Sequence, residues 1–289
     1  MDNRYFYHCF PRPRRKSIAP VDGIEVLKSI LANGLLLVPE IVEFGNTQII
    51  QRRICFTELA EDQLPDHACE FGEFALEFEI DTLRELGGMP AIYLPSQAGE
   101  TKGLNGVGGI LPAMYAQLQD FIQEFKRLKH ADAKWGKFLD DTTNRLGLQS
   151  VDHLYWVPEV FLNLCMPTEN LRYTDGLGYY RQREWRLIHN FVHNGEMPAR
   201  ELSSEQKSEL EKINPFFSEL IGLRDQPRAE RSALCLYFRG LNNELVFSKV
   251  RRLHVPQSKF EQVSALLKVC GFDVPVVTLP LSDVHDFVI

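Results

Sequence analysis

The chain has 289 residues, of which 44% are hydrophobic and 25% are charged, and it carries 19 phenylalanines. This composition is typical of a globular protein with a sizeable core, in one large domain or two smaller ones. The formal net charge of −7 argues against a general nucleic-acid binder. No apolar run is long enough to cross a membrane and no apolar signal sequence is visible, so we expect a cytoplasmic protein with no membrane partner.

The six cysteines are scattered along the chain, and none belongs to a CxxC pair. Zinc sites and disulfide frameworks usually show paired spacing, so we expect six free thiols and no metal. His189 and His193 have no third ligand nearby, which argues against a metal site there too.

In the first hundred residues, short apolar patterns alternate between strand and helix. Asp22 can cap a helix over residues 24–31 that Asn33-Gly34 would stop, and a second short helix should end at Gly87-Gly88. Strands are predicted over residues 5–10, 49–56, 74–80 and 91–94. The strand over 74–80 alternates apolar and polar residues, as a half-buried strand does.

The pattern changes after residue 100. Residues 101–109 are rich in glycine without the order of a phosphate-binding motif, and we interpret them as a connector. Helices are predicted over 110–148 and 158–164, and we interpret the apolar stripe of the first as core rather than as a partner-binding face. The stripe consists of Leu111, Met114, Tyr115, Leu118, Phe121, Ile122, Phe125 and Leu128. Residues 104–170 should form a helical insertion within a single domain.

The rest of the chain again mixes strands with helices. We predict a strand over 179–188, helices over 203–222 and 259–269, a hairpin of 233–238 with 244–255, and a closing strand over 274–279. Short strands far apart in sequence and mixed with helices indicate an α+β fold. A doubly wound dinucleotide fold is not expected, because regular strand–helix alternation and a G-x-G-x-x-G turn are both missing.

The strand predicted over 179–188 carries the candidate chemistry. Gln182, Glu184 and Arg186 would lie on one face of it, beside Tyr180. An amide, a carboxylate and a guanidinium are costly to bury unless they are paired. Two interpretations stay open: an exposed strand face with cross-strand ion pairs, or a site in which the carboxylate meets a ligand.

Residues 179–186 fit the pattern Tyr-Tyr-x-(Glu/Gln)-Arg-Glu-Trp-Arg, which resembles the signature of the AbiGi-like abortive phage-resistance family. Three more blocks occur in the same order. Residues 7–10 look like its opening His-bearing strand, 30–35 like its Ile-Leu-x-x-Gly helix end, and 55–78 like its Cys-Phe-Thr-Glu…His…Tyr-Gly-x-Phe-Gly block. The chain departs from the family at Gln182, where Glu is more frequent, and at Phe71, where a Tyr hydroxyl is lost.

The AbiGi-like family is in turn similar to DarT-type and other ADP-ribosyltransferases, which implies an ADP-ribosyltransferase-like mixed sheet. The implied function is an antiphage, toxin-type enzyme that uses NAD to modify a macromolecular target or hydrolyses NAD. Its catalytic residues would be Glu184, Gln182 and His8. The carboxylate would stabilise the positive charge that develops on the ribose when the bond to nicotinamide breaks, while the His holds a ribose hydroxyl.

The resemblance also implies NAD-binding residues. The guanidinium group of Arg52 or of Arg53 would hold the diphosphate, and the ring of Tyr179 or of Tyr180 would stack on nicotinamide. Two further polar residues would either line the cleft or hold a loop by hydrogen bonds. The full set is Arg52, Arg53, Tyr179, Tyr180, Glu58 and His67.

Two functions from different classes follow from this resemblance. For the enzyme, we expect His8 and Glu184 on neighbouring strands that face a common cleft. We also expect Glu184→Gln to slow the chemical step by a factor on the order of 100 without unfolding the protein. The alternative is a non-catalytic antitoxin or regulator that binds a partner, either a cognate toxin or a phage protein. A nuclease is a third class, but no carboxylate cluster with metal-ligand spacing supports it.

Overall fold

The structure is a computed structural model that describes residues 4–12, 21–44, 47–95, 107–145, 153–168, 183–190, 192, 197–214, 233–242 and 244–280. Its twelve described strands are β1 (Arg4–Phe10), β2 (Leu35–Phe44), β3 (Thr47–Ala60), β4 (Phe74–Phe78), β5 (Met89–Pro90), β6 (Ile92–Leu94), β7 (Cys165–Pro167), β8 (Glu184–Ile188), β9 (Ala199–Glu201), β10 (Leu236–Phe238), β11 (Arg252–Pro256) and β12 (Val276–Leu279). The described α-helices are α1 (Gly23–Asn33), α2 (Leu64–Phe71), α3 (Ile80–Glu85), α4 (Val107–Ala131), α5 (Ala133–Arg145), α6 (His153–Leu164), α7 (Ser204–Ile213) and α8 (Phe260–Cys270).

The chain divides into two compact units. The first comprises residues 1–40, 52–91 and 177–289, and the second comprises 41–51 and 92–176. The helical insertion predicted over 104–170 lies within the second unit. We call the two the sheet unit and the helical unit.

The main sheet has the strand order β12-β11-β4-β1-β3-β2-β10-β9, and β8 pairs with both β3 and β5. The pairs β1–β3, β1–β4, β2–β10, β9–β10, β4–β11, β3–β8 and β5–β8 are antiparallel, and β11–β12 is parallel. Strands and helices are interspersed along the chain, so the predicted α+β class with a mixed sheet is confirmed.

In the sheet unit the two faces of the sheet are covered by different helices. Side chains of α1 and α8 pack with Phe6, Phe56 and Phe78 in the larger hydrophobic core. On the other face, residues of α2 pack with Tyr7 and Ala75 in a smaller cluster. Helix α1 has the predicted boundaries, since an oxygen of Asp22 accepts from the amide of Ile24 at 2.9 Å and Gly34 caps its end.

In the helical unit, α4, α5 and α6 provide the helices that the sequence predicts over 110–148 and 158–164. Buried Ile122, Leu139 and Leu162 form part of its apolar interior. The side-chain nitrogen Nε2 of Gln51 donates to the backbone carbonyl oxygens of Leu162 at 2.7 Å and Cys165 at 2.9 Å. Among the described residues, no helix is long and apolar enough to span a membrane.

Two sequence-based expectations fail in the fold. The hairpin of 233–238 with 244–255 is wrong, because β10 pairs with β2 and β9 while β11 pairs with β4 and β12. The assignment of the α4 stripe to the core is wrong in part: Ile122 is buried, but Met114 and Phe121 are each 59% exposed. Strand β2 and helix α2 were not predicted; Pro39 interrupts the first pattern and polar residues dilute the second.

Candidate functional site

Four strands place a row of polar side chains on one face of the sheet. Thr57 of β3 is paired with Glu184 of β8 on one side and with Tyr7 of β1 on the other, and Tyr7 is paired with Glu77 of β4. Residues paired across neighbouring strands project to the same face. The row therefore contains two buried carboxylates, each with its own set of partners.

The first carboxylate, Glu184, forms a buried ion pair. Nε of Arg186 donates to Oε1 of Glu184 at 2.7 Å, and the two side chains are 0% and 8% exposed. Burial raises the pKa of Glu184, but the charges of Arg186 and Arg53 and the hydrogen bond from Arg186 outweigh it, so the pKa lies below its usual value. Of the two interpretations of this strand, neither an exposed face nor a carboxylate open to a ligand describes Glu184; it is a buried anion held between cations.

Arg53 lies on the same face as Glu184, four residue pairs further along the ladder between β3 and β8. Its Nη2 donates to Oε2 of Glu40 at 2.8 Å, and its side chain is 5% exposed. The neighbouring Arg52 projects to the opposite face, because adjacent residues of a strand alternate. Arg52 and Arg53, either of which was predicted to hold the diphosphate, thus lie on different faces.

The second carboxylate, Glu77, lies in the middle of β4 and is fully buried. Its Oε2 accepts from the hydroxyl of Tyr7 at 3.2 Å and from Nε2 of His254 at 2.7 Å, and its Oε1 accepts from Arg251. Burial raises its pKa, but the hydrogen bonds and charges of His254 and Arg251 bring it below the usual value. Glu77 thereby connects β1, β4 and β11 through one carboxylate.

His8 lies on the opposite face of the sheet from Glu184. Tyr7 shares the face of Glu184, and His8 is the next residue on β1, so its side chain projects the other way. Strands β1 and β8 are also not neighbours, because each pairs with a different edge of β3. The prediction that His8 and Glu184 lie on neighbouring strands and face a common cleft is therefore wrong.

His8 lies just beyond the last residue pair between β1 and β3, and its side chain bonds to the backbone of β3. The recorded ladder runs from Arg4–Ala60 to Tyr7–Thr57, and beyond it Nδ1 of His8 donates to the carbonyl oxygen of Cys55 at 2.9 Å. The ring lies 5.6 Å from that of Phe56, centroid to centroid. Burial, together with the charge of Arg12, lowers the pKa of His8 despite the Cys55 carbonyl. The imidazole is neutral at pH 7, with Nε2 as its acceptor.

Three other side chains belong to the same end of β1. The Cζ atom of Arg12 lies 5.6 Å from the ring centroid of Phe71, and the ring of His67 stacks on Phe71 at 4.4 Å. Burial and then the charge of Arg12 lower the pKa of His67 to about 4. The charge of Arg12 therefore lowers the pKa of both His8 and His67. We call these four residues the β1-end group.

The remaining predicted site residues divide into two sets. Glu58 holds the residue before β8, since Nη1 of Arg183 donates to Oε1 of Glu58 at 2.8 Å. This contact favours the interpretation of Glu58 as a residue that holds a loop by hydrogen bonds. Tyr179, Tyr180 and Gln182 lie outside the described residues. In the part of the chain that is described, no group of three His, Cys, Asp or Glu side chains could hold a metal, and none of the six cysteines forms a disulfide.

The Glu77 group is the arrangement that the sequence did not predict. Alternation in β4 suggested that Glu77 faces solvent, yet the whole strand is buried. A usable signal exists: Glu77 stands between Leu76 and Phe78, and His254 between Leu253 and Val255. If such a run is buried on both faces, its polar residue is buried too and needs a partner.

Comparisons with protein-family models, with curated proteins and with solved structures give no match for this chain. The resemblance to the AbiGi-like family and to DarT-type transferases therefore stays a prediction from the quoted motifs.

Proposed function

We propose that this chain is a non-catalytic regulator of antiphage defence that acts by binding a partner protein. One observation supports the non-catalytic part best: the carboxylate implied to be catalytic is buried in an ion pair with Arg186, on the sheet face opposite His8. A transferase of the implied kind needs both groups on one ribose. The antiphage setting rests on the AbiGi-like motifs alone.

The role of a binding protein is supported by the helical unit. Large apolar side chains of α4 and α5 are exposed, with Met114 and Phe121 at 59%, Phe138 at 54% and Trp135 at 53%. Contiguous exposed apolar surface on a globular protein usually marks an interaction site. The proposal therefore places recognition in the helical unit and assigns the polar row of the sheet unit to stability.

The test is nicotinamide release from NAD by the purified chain, with and without phage lysate, together with phage plating. We expect no release above buffer, and protection that survives removal of the Glu184 carboxylate. Because Glu184→Gln leaves Arg186 charged and buried, it should cost about 3–5 kcal/mol of stability. The double variant Glu184→Leu/Arg186→Met removes both charges and avoids that cost, so it is the variant to plate.

Release of nicotinamide that disappears in the folded double variant would overturn the regulator and restore the transferase. If the folded double variant no longer protects against phage, that result would also favour the transferase over the regulator. Arg84→Gln serves as a matched control, because it removes an exposed arginine of the same unit.

The second candidate is the NAD-dependent ADP-ribosyltransferase or glycohydrolase that the resemblance implies. The β1-end group favours it, since a neutral His8 with a free acceptor nitrogen suits a ribose hydroxyl, and Arg12 suits a phosphate. In this case NAD binds at the β1-end group, and the catalytic role that the resemblance implies for Glu184 does not apply. Calorimetric titration with NAD separates the candidates: binding that Arg12→Gln and His8→Ala both weaken supports this one.

A further inference from the structure

Helix α4 carries an exposed apolar ridge along one side. Seven residues make nearly two helical turns, so Met114, Phe121 and Leu128 lie in line, and Ile110 lies one turn before Met114. These four side chains are 39–59% exposed. The ridge is about 27 Å long at 1.5 Å per residue. Buried Ile122 lies about a quarter-turn away, so the apolar sector of α4 is wider than the part that the helical unit covers.

A basic segment adjoins the end of this ridge. Residues 126–137 contain Lys126, Arg127, Lys129, Lys134 and Lys137 against a single acidic residue, Asp132, in a chain whose net charge is −7. Arg127 is paired with Glu124 and Lys129 with Asp140. Within the described chain, Lys134 and Lys137 are in no ion pair, and both are exposed on α5 beside the exposed Trp135 and Phe138.

From this ridge and its basic end we infer that the α4–α5 surface binds an acidic amphipathic helix of the partner protein. A line of apolar side chains with period seven fits the apolar stripe of a second helix. The acidic flanks of that helix would meet the lysines at the far end. The inference rests on the proposed regulator function and specifies the partner that it would take.

Two other occupants fit the charges less well. A second copy of this chain in a two-fold dimer would offer the same patch, because a two-fold interface uses one patch twice. The end of α4 opposite the basic segment, residues 107–119, has no acidic residue to meet it. An anionic membrane would meet the negative charge of the whole chain, whereas a short helix meets the local field, which reaches only about 8 Å at physiological ionic strength.

The experiment is a titration of the full chain with a fluorescent synthetic peptide about three heptads long, with Leu at the a and d positions and Glu elsewhere. A matched peptide carries Lys in place of Glu. We expect the Glu peptide to bind at least about tenfold more tightly than the Lys peptide, and increasing salt to reduce the difference. Equal affinity for the two peptides, or no binding of the Glu peptide, would overturn the inference.

Surface variants locate the binding. Phe121→Ala/Leu128→Ala should weaken the Glu peptide by at least about tenfold, as loss of apolar anchors does elsewhere. Lys134→Glu/Lys137→Glu should abolish the preference for Glu over Lys. The control is Val269→Ala, which changes an 86% exposed apolar residue of α8 in the other unit. Unchanged binding in the first two variants would contradict the assignment, and since all four positions are exposed, circular dichroism should show intact folds.

Light scattering and vesicles address the other occupants. A dimer that Phe121→Ala/Leu128→Ala converts to a monomer would assign the ridge to a second copy. Binding to phosphatidylserine vesicles without binding to the Glu peptide would assign it to a membrane. Nicotinamide release that depends on Glu184 would end the regulator function whatever the peptide does. If the Glu peptide does not bind and no Glu184-dependent nicotinamide release is measured, only the assignment of the α4–α5 surface is overturned.

Discussion

At the scale of single residues, Glu77 has a large expected effect on stability. It is fully buried and accepts from Tyr7, His254 and Arg251. Glu77→Gln removes the buried negative charge that pairs with Arg251 and should cost about 3–5 kcal/mol, measured as a shift in urea midpoint. The control Glu124→Gln changes an exposed carboxylate paired with Arg127 and should leave the midpoint near that of the natural chain.

The same residue should give acid sensitivity. The pKa of Glu77 in the folded chain lies below its ordinary value of 4.5, so the unfolded chain binds the proton more readily. Stability from this group is present above about pH 4.5 and is lost as the pH falls through the folded pKa. In Glu77→Gln, the decline in stability below pH 4.5 should be shallower than in the natural chain. An equally steep decline would show that other carboxylates, Glu184 first, carry it.

Arg12 should set the titration of two histidines at once. Burial is the largest cause of the low pKa of His8 and of His67, and the charge of Arg12 adds to both. Arg12→Gln removes that repulsion, so both pKa values should rise while burial keeps them below 6.5. Histidine ring signals in NMR spectra report each pKa. Lys268→Gln, an exposed change on α8, is the control, and a shift of only one ring would separate His67 from the β1-end group.

Residue-scale prediction from the sequence succeeded where it needed only local geometry. Glu184 and Arg186 do share a face, because alternation along one strand is a property of that strand. The relation of His8 to Glu184 depends on how β1, β3 and β8 are paired, and a shift of one residue in register reverses the face. Likewise, the partners of Glu77 lie 70 and 177 residues away, so its burial could not be inferred from β4 alone.

At the scale of elements, the end of β1 is fixed against the start of β4 by a glycine. Gly72 has φ of +135°, and a Cβ there would lie 2.4 Å from the carbonyl carbon of Phe10. Gly271 at the end of α8 has φ of +76°, with nothing within 4 Å of its Cβ position. Gly271→Ala should cost about 1 kcal/mol for backbone strain. Gly72→Ala adds a backbone clash and should cost about 3 kcal/mol or more.

The two alanine variants test the close approach of the elements, because each introduces the same methyl group at a positive φ. Urea midpoints give the difference between them. Equal losses would mean that only backbone conformation matters at Gly72 and that β1 can move aside. If Gly72→Ala costs more stability than Gly271→Ala, the pKa of His8 should also rise in the Gly72→Ala variant, because a displaced end of β1 would expose the imidazole to water.

Elements were predictable where their signals are complete within a few residues. Helix α1 carries its own cap at Asp22 and its own stop at Gly34, and α8 ends at Gly271 in the left-handed conformation. The false hairpin had a plausible turn around Gly240, but strand partners are chosen by distant segments. For α4 the helical period was sufficient to predict the helix. It could not show how much of the apolar sector the neighbouring helices cover.

At the scale of the whole molecule, the division into two compact units predicts that the sheet unit folds alone. The amide of Ala91, the last residue before the helical unit, donates to the carbonyl oxygen of Glu184 of β8 at 2.8 Å, so these two residues of the sheet unit are neighbours. A short Gly/Ser linker can therefore replace residues 92–182 without straining the ends. A tight turn replacing residues 41–51, which belong to the helical unit, completes the excision.

The excised chain should unfold cooperatively and lack the ellipticity of α4, α5 and α6, because the larger core of the sheet unit lies entirely outside the removed residues. It should keep the acid sensitivity of Glu77 and the titration of His8, whose partners it retains, and it should no longer bind the Glu-rich peptide. Circular dichroism with thermal melting, NMR and peptide titration measure these in turn. Non-cooperative melting would show that the two units stabilise each other. Retained peptide binding would show that the Glu peptide binds to the sheet unit and not to the α4–α5 surface.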